Sequence, residues 1–192
     1  MLAEYKIALS PQTPDSTDPE IRNALEKAKA QVGFIPNMYA RMVNVPGLLD
    51  SYLHGYAAFR SQSGFSPAEQ EVVLLAISRE NACEYCVAAH SFMADNKSGV
   101  PRPVTDALRE DRPLLDPKLQ ALVRFTRLMV AKRGLPSRQD VADFLAAGYA
   151  ERHLLDIILA IGVKTISNYT NHLFHTPLDA VFVPWRWAEV PR

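Results

Sequence analysis

With 192 residues, 48% of them hydrophobic and 22% charged, the chain has the balance of a globular protein and enough length for a large core, which excludes disorder and low complexity. Its 21 basic and 21 acidic residues cancel, so no electrostatic case exists for nucleic acid or an anionic membrane surface as partner. Glu4 and Lys6 interrupt the short apolar start and Asp156 interrupts the longest apolar run, so neither a signal peptide nor a membrane span is predicted and the chain reads as cytoplasmic.

Helical punctuation recurs along the chain without a run of strand alternation, and the fold class predicted is all-α. Pro11, Pro14 and Pro19 mark residues 1–19 as an irregular arm, after which Ile21 to Val32 is a helix closed by Gly33. A short helix follows Pro36. The stretch from Val45 to Arg60 carries Leu49, Leu53, Tyr56 and Phe59 at helical spacing behind Pro46 in its first turn. Ser66 to Ser78, S-P-A-E-Q-E-V-V-L-L-A-I-S, opens with Ser66 as N-cap, Pro67 at the first helical position and Glu69 closing a capping box. Beyond that start the helix is apolar on every side, so it is predicted to be buried, and Glu71 is a carboxylate among apolar neighbours whose pKa should be raised.

Further helices are expected over Cys83 to Asn96, Pro101 to Arg109, Lys118 to Arg133, Ser137 to Ala147 and Ala150 to His175. The domain proper then spans 20–180, and the apolar, proline-broken tail over 181–192, with Trp185 and Trp187, should lie against another surface. V-L-L-A-I-S from Val73 aligns without gaps with I-I-L-A-I-G, 84 residues later, setting Tyr85 on Tyr169, Cys83 on Ser167, Cys86 on Thr170 and His90 on Phe174. This is the pattern of a degenerate internal helical repeat, although leucine-rich helices also resemble one another by chance.

The two cysteines of the chain lie three positions apart in C-E-Y-C-V-A-A-H, Cys83 to His90. At 100° per residue Cys83, Cys86 and His90 share one face within roughly 60°. Cys83 falls in the first turn, where the helix dipole favours a thiolate, and Cys86 and His90 are i and i+4 neighbours, within reach for proton transfer. Buried cysteines used as small hydrophobes would explain neither the spacing nor the histidine. A zinc site would need a fourth ligand from His54, His153, His172, His175 or Glu71. A redox dithiol uses all the features together: a pair able to close a disulfide, a base beside it and a carboxylate on the preceding helix. Asn168, Asn171, His172 and His175 form a polar stripe on the last helix that could face the same site or a neighbouring subunit.

Glu71, eleven residues and then this motif resemble the E…C-x-x-C-x-x-x-H signature of the AhpD-like alkylhydroperoxidases of the carboxymuconolactone decarboxylase superfamily. G-F-I-P-N-M (Gly33 to Met38), P-G-L-L (Pro46 to Leu49) and N-Y-T-N-H-L-F-H-T-P-L-D (Asn168 to Asp179) are similar to its peroxidase-related branch, so the resemblance covers roughly 20–180. It implies an AhpD-like helical fold, homo-oligomers (trimers or hexamers), and thiol-dependent peroxidase or dithiol-disulfide oxidoreductase activity without haem, flavin or metal. It assigns peroxide attack to Cys86, resolution to Cys83, and a proton relay to Glu71 and His90, with an external dithiol, lipoyl-bearing or thioredoxin-like, as reductant. Some relatives carry a second histidine immediately before the second cysteine; here Tyr85 stands there as a candidate relay group, a poorer base. The superfamily's cofactor-free lactone decarboxylases are an alternative against which the cysteine pair argues, and a non-enzymatic redox sensor is another.

Overall fold

The computed structural model describes residues 2–188, so the last four residues of the expected tail lie outside them. Among the described residues the chain is helical and has no strand. Helix α1 spans Pro19–Val32, capped by the Asp18 carboxylate and closed at Gly33, whose left-handed backbone (φ 88°) turns the chain away. Helix α2 (Asn37–Met42) and helix α3 (Pro46–Gln62) follow. Helix α4 (Pro67–Glu80) begins with the predicted capping box, Ser66 Oγ accepting from the Glu69 amide while Glu69 reaches back to the Ser66 amide. From Val72 to Ile77 it is buried on all sides, as its unbroken apolar circumference requires. Helix α5 is Glu84–Asn96, α6 Arg102–Arg109, α7 Pro117–Ala131, α8 Arg138–Ala146 and α9 Glu151–Phe174. A 3-10 helix over Ala180–Trp185 completes the order.

The buried α4 packs on α5, α6, α7 and α9, and so separates two apolar clusters. One fills the space between α4, α7, α8 and α9 and includes the stacked rings of Phe125, Phe144 and Tyr149. The other lies among α1, α2, α3 and α5 and contains both cysteines. Where α3 crosses α9, a Cβ on Gly55 would come within 2.8 Å of Val163 Cγ2, so glycine permits the approach that sets the middle of α9 beside the cysteine-bearing helix.

The aligned segments take different backbone paths. Between α4 and α5 the chain turns at Ala82, which adopts a left-handed backbone (φ 52°), whereas the second copy runs through the middle of α9 without a break. Ser167 and Thr170, at the places of Cys83 and Cys86, turn their hydroxyls onto carbonyls of their own helix. The tail docks on its own chain: Trp185 Nε1 donates to Asp95 (2.7 Å) with its ring edge-on to Phe92, Trp187 Nε1 donates to the Arg109 carbonyl, and the Arg79 guanidinium lies over the Trp187 ring. No helix of the described residues is long and apolar enough to cross a membrane.

Candidate active site

Cys83 is the N-cap of α5 and Cys86 sits in its first turn; both are free and buried. Their surroundings differ. Cys86 and His90 line a cavity of about 510 Å³, and Cys83 lies behind them, away from it. Tyr39, Tyr52, Tyr56, Phe92 and Phe182 form aromatic walls, and the exposed Gln31, Val32 and Lys97 stand at the mouth. The polar floor is made by Cys86, His90 and Lys164.

From that floor a chain of hydrogen bonds runs back into the core. His90 Nδ1 lies 2.9 Å from Glu71 Oε2, and the other Glu71 oxygen is paired with Arg60. Arg60 also contacts Tyr56 Oη (2.6 Å) and Gln70 Oε1 (3.2 Å). On the opposite side of the imidazole, Lys164 Nζ lies 2.9 Å from His90 Nε2, and Lys164 lines the cavity with Cys86. Because Nδ1–H donates to the ionised carboxylate, Nε2 is the acceptor from Lys164, which fixes the tautomer of a neutral ring. Asn171 Nδ2 reaches Cys86 Sγ at 3.3 Å and Met38 Sδ at 3.2 Å, so the polar stripe of α9 supplies one residue to the site. Asn168 instead accepts from Asn81, and His175 bonds the Ala3 carbonyl.

Burial opposes ionisation of Glu71, but His90 and Arg60 outweigh it and hold the carboxyl below its ordinary range. The raised pKa expected from apolar sequence neighbours is thus reversed, because the partners that decide it come from α3 and α5. His90 is held below its ordinary value by burial first and by Lys164 next. The thiols part in opposite directions. Burial, together with its hydrogen bond to Cys86, pushes Cys83 well up, whereas at Cys86 the effect of burial is overcome by the hydrogen bond from Cys83 and by Lys164 and His90, which hold it well down. The helix N-terminus therefore does not make Cys83 the thiolate: its burial dominates the dipole.

Tyr85 donates to Asp179, whose carboxylate also accepts from the Asn37 amide, and burial beside that carboxylate pushes the phenol far up. Its hydroxyl points to the chain after α9, not to the Glu71–His90 pair. His54 is exposed and His153 bonds the Ala150 backbone. Among the described residues no group of three or more His, Cys, Asp or Glu is placed to hold a metal ion.

Two site residues carry no motif. Arg60 reads in the sequence as the end of a helix. Lys164 reads as an interruption of an apolar run, and that interruption was the available signal: a lysine inside Leu154 to Ile166 on a core-facing helix must have a partner.

Residues 46–128, which hold Arg60, Glu71, both cysteines and His90, match the carboxymuconolactone decarboxylase family. This segment runs from the start of α3 into α7. No curated protein matches it. Among solved structures, an uncharacterised peroxidase-related protein from Ralstonia eutropha JMP134 with an alkylhydroperoxidase AhpD core has a TM-score of 0.77 at 20% identity, covering 94% of this chain and 97% of its own. A peroxidase-related protein from Silicibacter sp. TM1040 has a TM-score of 0.74 at 22% identity, over 94% and 95%. The debrominase Bmp8, as a cysteine-to-alanine variant in complex with 2,3,4-tribromopyrrole, has a TM-score of 0.74 at 14% identity, over 94% and 96%. At these identities the likeness carries the AhpD-like fold.

Proposed function

We propose that this chain is a thiol-dependent peroxidase, a dithiol-disulfide oxidoreductase that spends the electrons of Cys83 and Cys86 on a peroxide. The observation that carries this is the asymmetry of the pair: Cys86 faces the cavity and is held toward the thiolate, while Cys83 is protonated, hydrogen-bonded to it and set behind. The Cys86 thiolate attacks the terminal peroxide oxygen, the O–O bond breaks, sulfur becomes a sulfenic acid, and the other oxygen leaves as alcohol, or water from hydrogen peroxide, with the proton the thiol gave up. The Cys83 thiol then displaces the sulfenic hydroxyl, closing a disulfide and releasing water, and an external dithiol reduces the pair. Glu71, ionised and paired with Arg60, orients His90 and sets its tautomer. With mild peroxide the intact protein should lose two hydrogens by mass spectrometry and regain them with dithiothreitol; an unchanged mass in folded protein removes the dithiol chemistry.

The aromatic cavity supports a second reading, reductive removal of a halogen from an aromatic ring with the same two thiols supplying two electrons and Bmp8 as the fold-level precedent. Lactone decarboxylation makes no use of the pair, and a redox sensor would oxidise without turning over.

We also propose self-association. The all-apolar α4 and the tail are both covered within the chain, but α9 leaves Leu155, Ile158, Leu159, Tyr169 and Leu173 exposed along one stripe. Light scattering should report a homo-oligomer at micromolar concentration, and a clean monomer contradicts it.

A further inference from the structure

Lys164 is completely buried, its hydrogen-bond partner is the imidazole of His90, and it lines the same cavity as Cys86. A buried ammonium is costly without a counter-ion, and among the described residues no carboxylate forms an ion pair with it. The nearest one, Glu71, is already committed to Arg60 and separated from Lys164 by the imidazole ring. Along the row Arg60, Glu71, His90, Lys164, Cys86 the charges of Arg60 and Glu71 cancel, so a proton can pass between Cys86 and Lys164 without changing the net charge of the row.

We propose that Lys164 is a catalytic residue of the thiol reaction: it takes the proton of Cys86 and returns it to the oxygen that leaves when the peroxide bond breaks. This rests on the peroxidase reading above and adds to it the group that moves the proton. The step balances without an outside acid. Cys86–S⁻, ROOH and Lys164–NH₃⁺ give Cys86–S–OH, ROH and Lys164–NH₂, so the thiol proton ends on the alcohol. Reduction of the disulfide restores the Cys86 thiol, which recharges the amine. His90 cannot fill this role while its Nε2 accepts from Lys164 and its Nδ1–H is held by Glu71.

The other titratable groups around Cys86 leave Lys164 as the working cation. Tyr39 on α2, Tyr52 and Tyr56 on α3 and Tyr85 on α5 are all pushed up by burial and stay neutral. His90 on α5 and His172 on α9 are held down, again by burial first, and Cys83 stays protonated.

The test compares wild type with Lys164→Met in two measurements. Thiolate absorbance against pH, which needs no peroxide, should show one thiolate per chain at neutral pH in wild type and a shift of that titration up to the ordinary thiol range in the variant. Single-turnover oxidation should then be compared for tert-butyl hydroperoxide, whose alkoxide must be protonated as it leaves, and peracetic acid, whose acetate need not be. The ratio of the two rates cancels the loss of thiolate, and it should fall by roughly 10²-fold in the variant, the loss typical of a general acid. An unshifted titration, or an unchanged ratio, overturns the assignment. If the variant does not fold, wild type decides: a chain with no thiolate at neutral pH overturns it. If wild type reacts with neither peroxide, the peroxidase reading falls while the titration still judges the lysine–thiolate pair.

Discussion

Cys86→Ser is expected to abolish reaction with peroxide, whereas Cys83→Ser should react once and stop as a sulfenic acid at Cys86. Cys86 lines the cavity and Cys83 does not, so a peroxide entering from the mouth meets one sulfur only. The pair also differs in charge: burial keeps Cys83 protonated, while Cys86 accepts a hydrogen bond from Asn171 and is held down beside Cys83, Lys164 and His90. Because a sulfenic acid without its resolving partner is open to further oxidation, Cys83→Ser should also go on to sulfinic acid in excess peroxide. Trapping with a sulfenic-acid reagent checks the assignment. Label on Cys83 in Cys86→Ser, with none on Cys86 in Cys83→Ser, reverses the roles.

The second large effect is on stability. Glu71→Gln should lower stability by about 3 kcal/mol, because breaking a buried pair leaves an uncompensated charge, and Arg60, whose side chain is 20% exposed, recovers part of that from solvent. The amide also cannot accept from both Arg60 and His90, since one of its two ends is a donor. For a chain of this size the loss corresponds to a Tm lower by roughly 6–12 °C by calorimetry. A Tm within a degree of wild type would show that the pair contributes nothing. The pH dependence has the same origin. Glu71 is held below 4.5 and His90 below 6.5, so the unfolded chain binds more protons and stability rises with pH. The His90 contribution is complete above pH 6.5 and is lost as pH falls through its folded value; that of Glu71 is complete above 4.5 and is lost below it. Tm should therefore fall in two stages from neutral to acid pH, and a flat profile from pH 7 to 4 contradicts the buried chain.

Much of this architecture was legible because it rests on local chemistry. Ser66, Pro67 and Glu69 start α4 by satisfying its free amides, and that requirement is written in four consecutive residues. Cys86 and His90 share a helix, so their spacing alone brings them to one face, with Cys83 at its N-cap. What was not legible came from across the fold. Glu71 is ionised because Arg60 on α3 and His90 on α5 reach it, and no window around Glu71 contains either. Lys164 lies 74 residues beyond His90, and only the packing of α9 against the rest of the fold brings the two together. The break at Ala82 likewise separates two aligned segments that periodicity treats as equivalent: the same apolar pattern serves two helices in one and a single helix in the other.

The most direct test of the central claim is a steady-state assay of peroxide consumption by the wild-type protein with a dithiol reductant in excess. A redox-active pair that is rereduced after each cycle predicts many equivalents of peroxide consumed per chain, at a rate that disappears in Cys86→Ser. Consumption of one equivalent per chain and no more, with reductant still present, would contradict a peroxidase and leave a dithiol that oxidises without turning over.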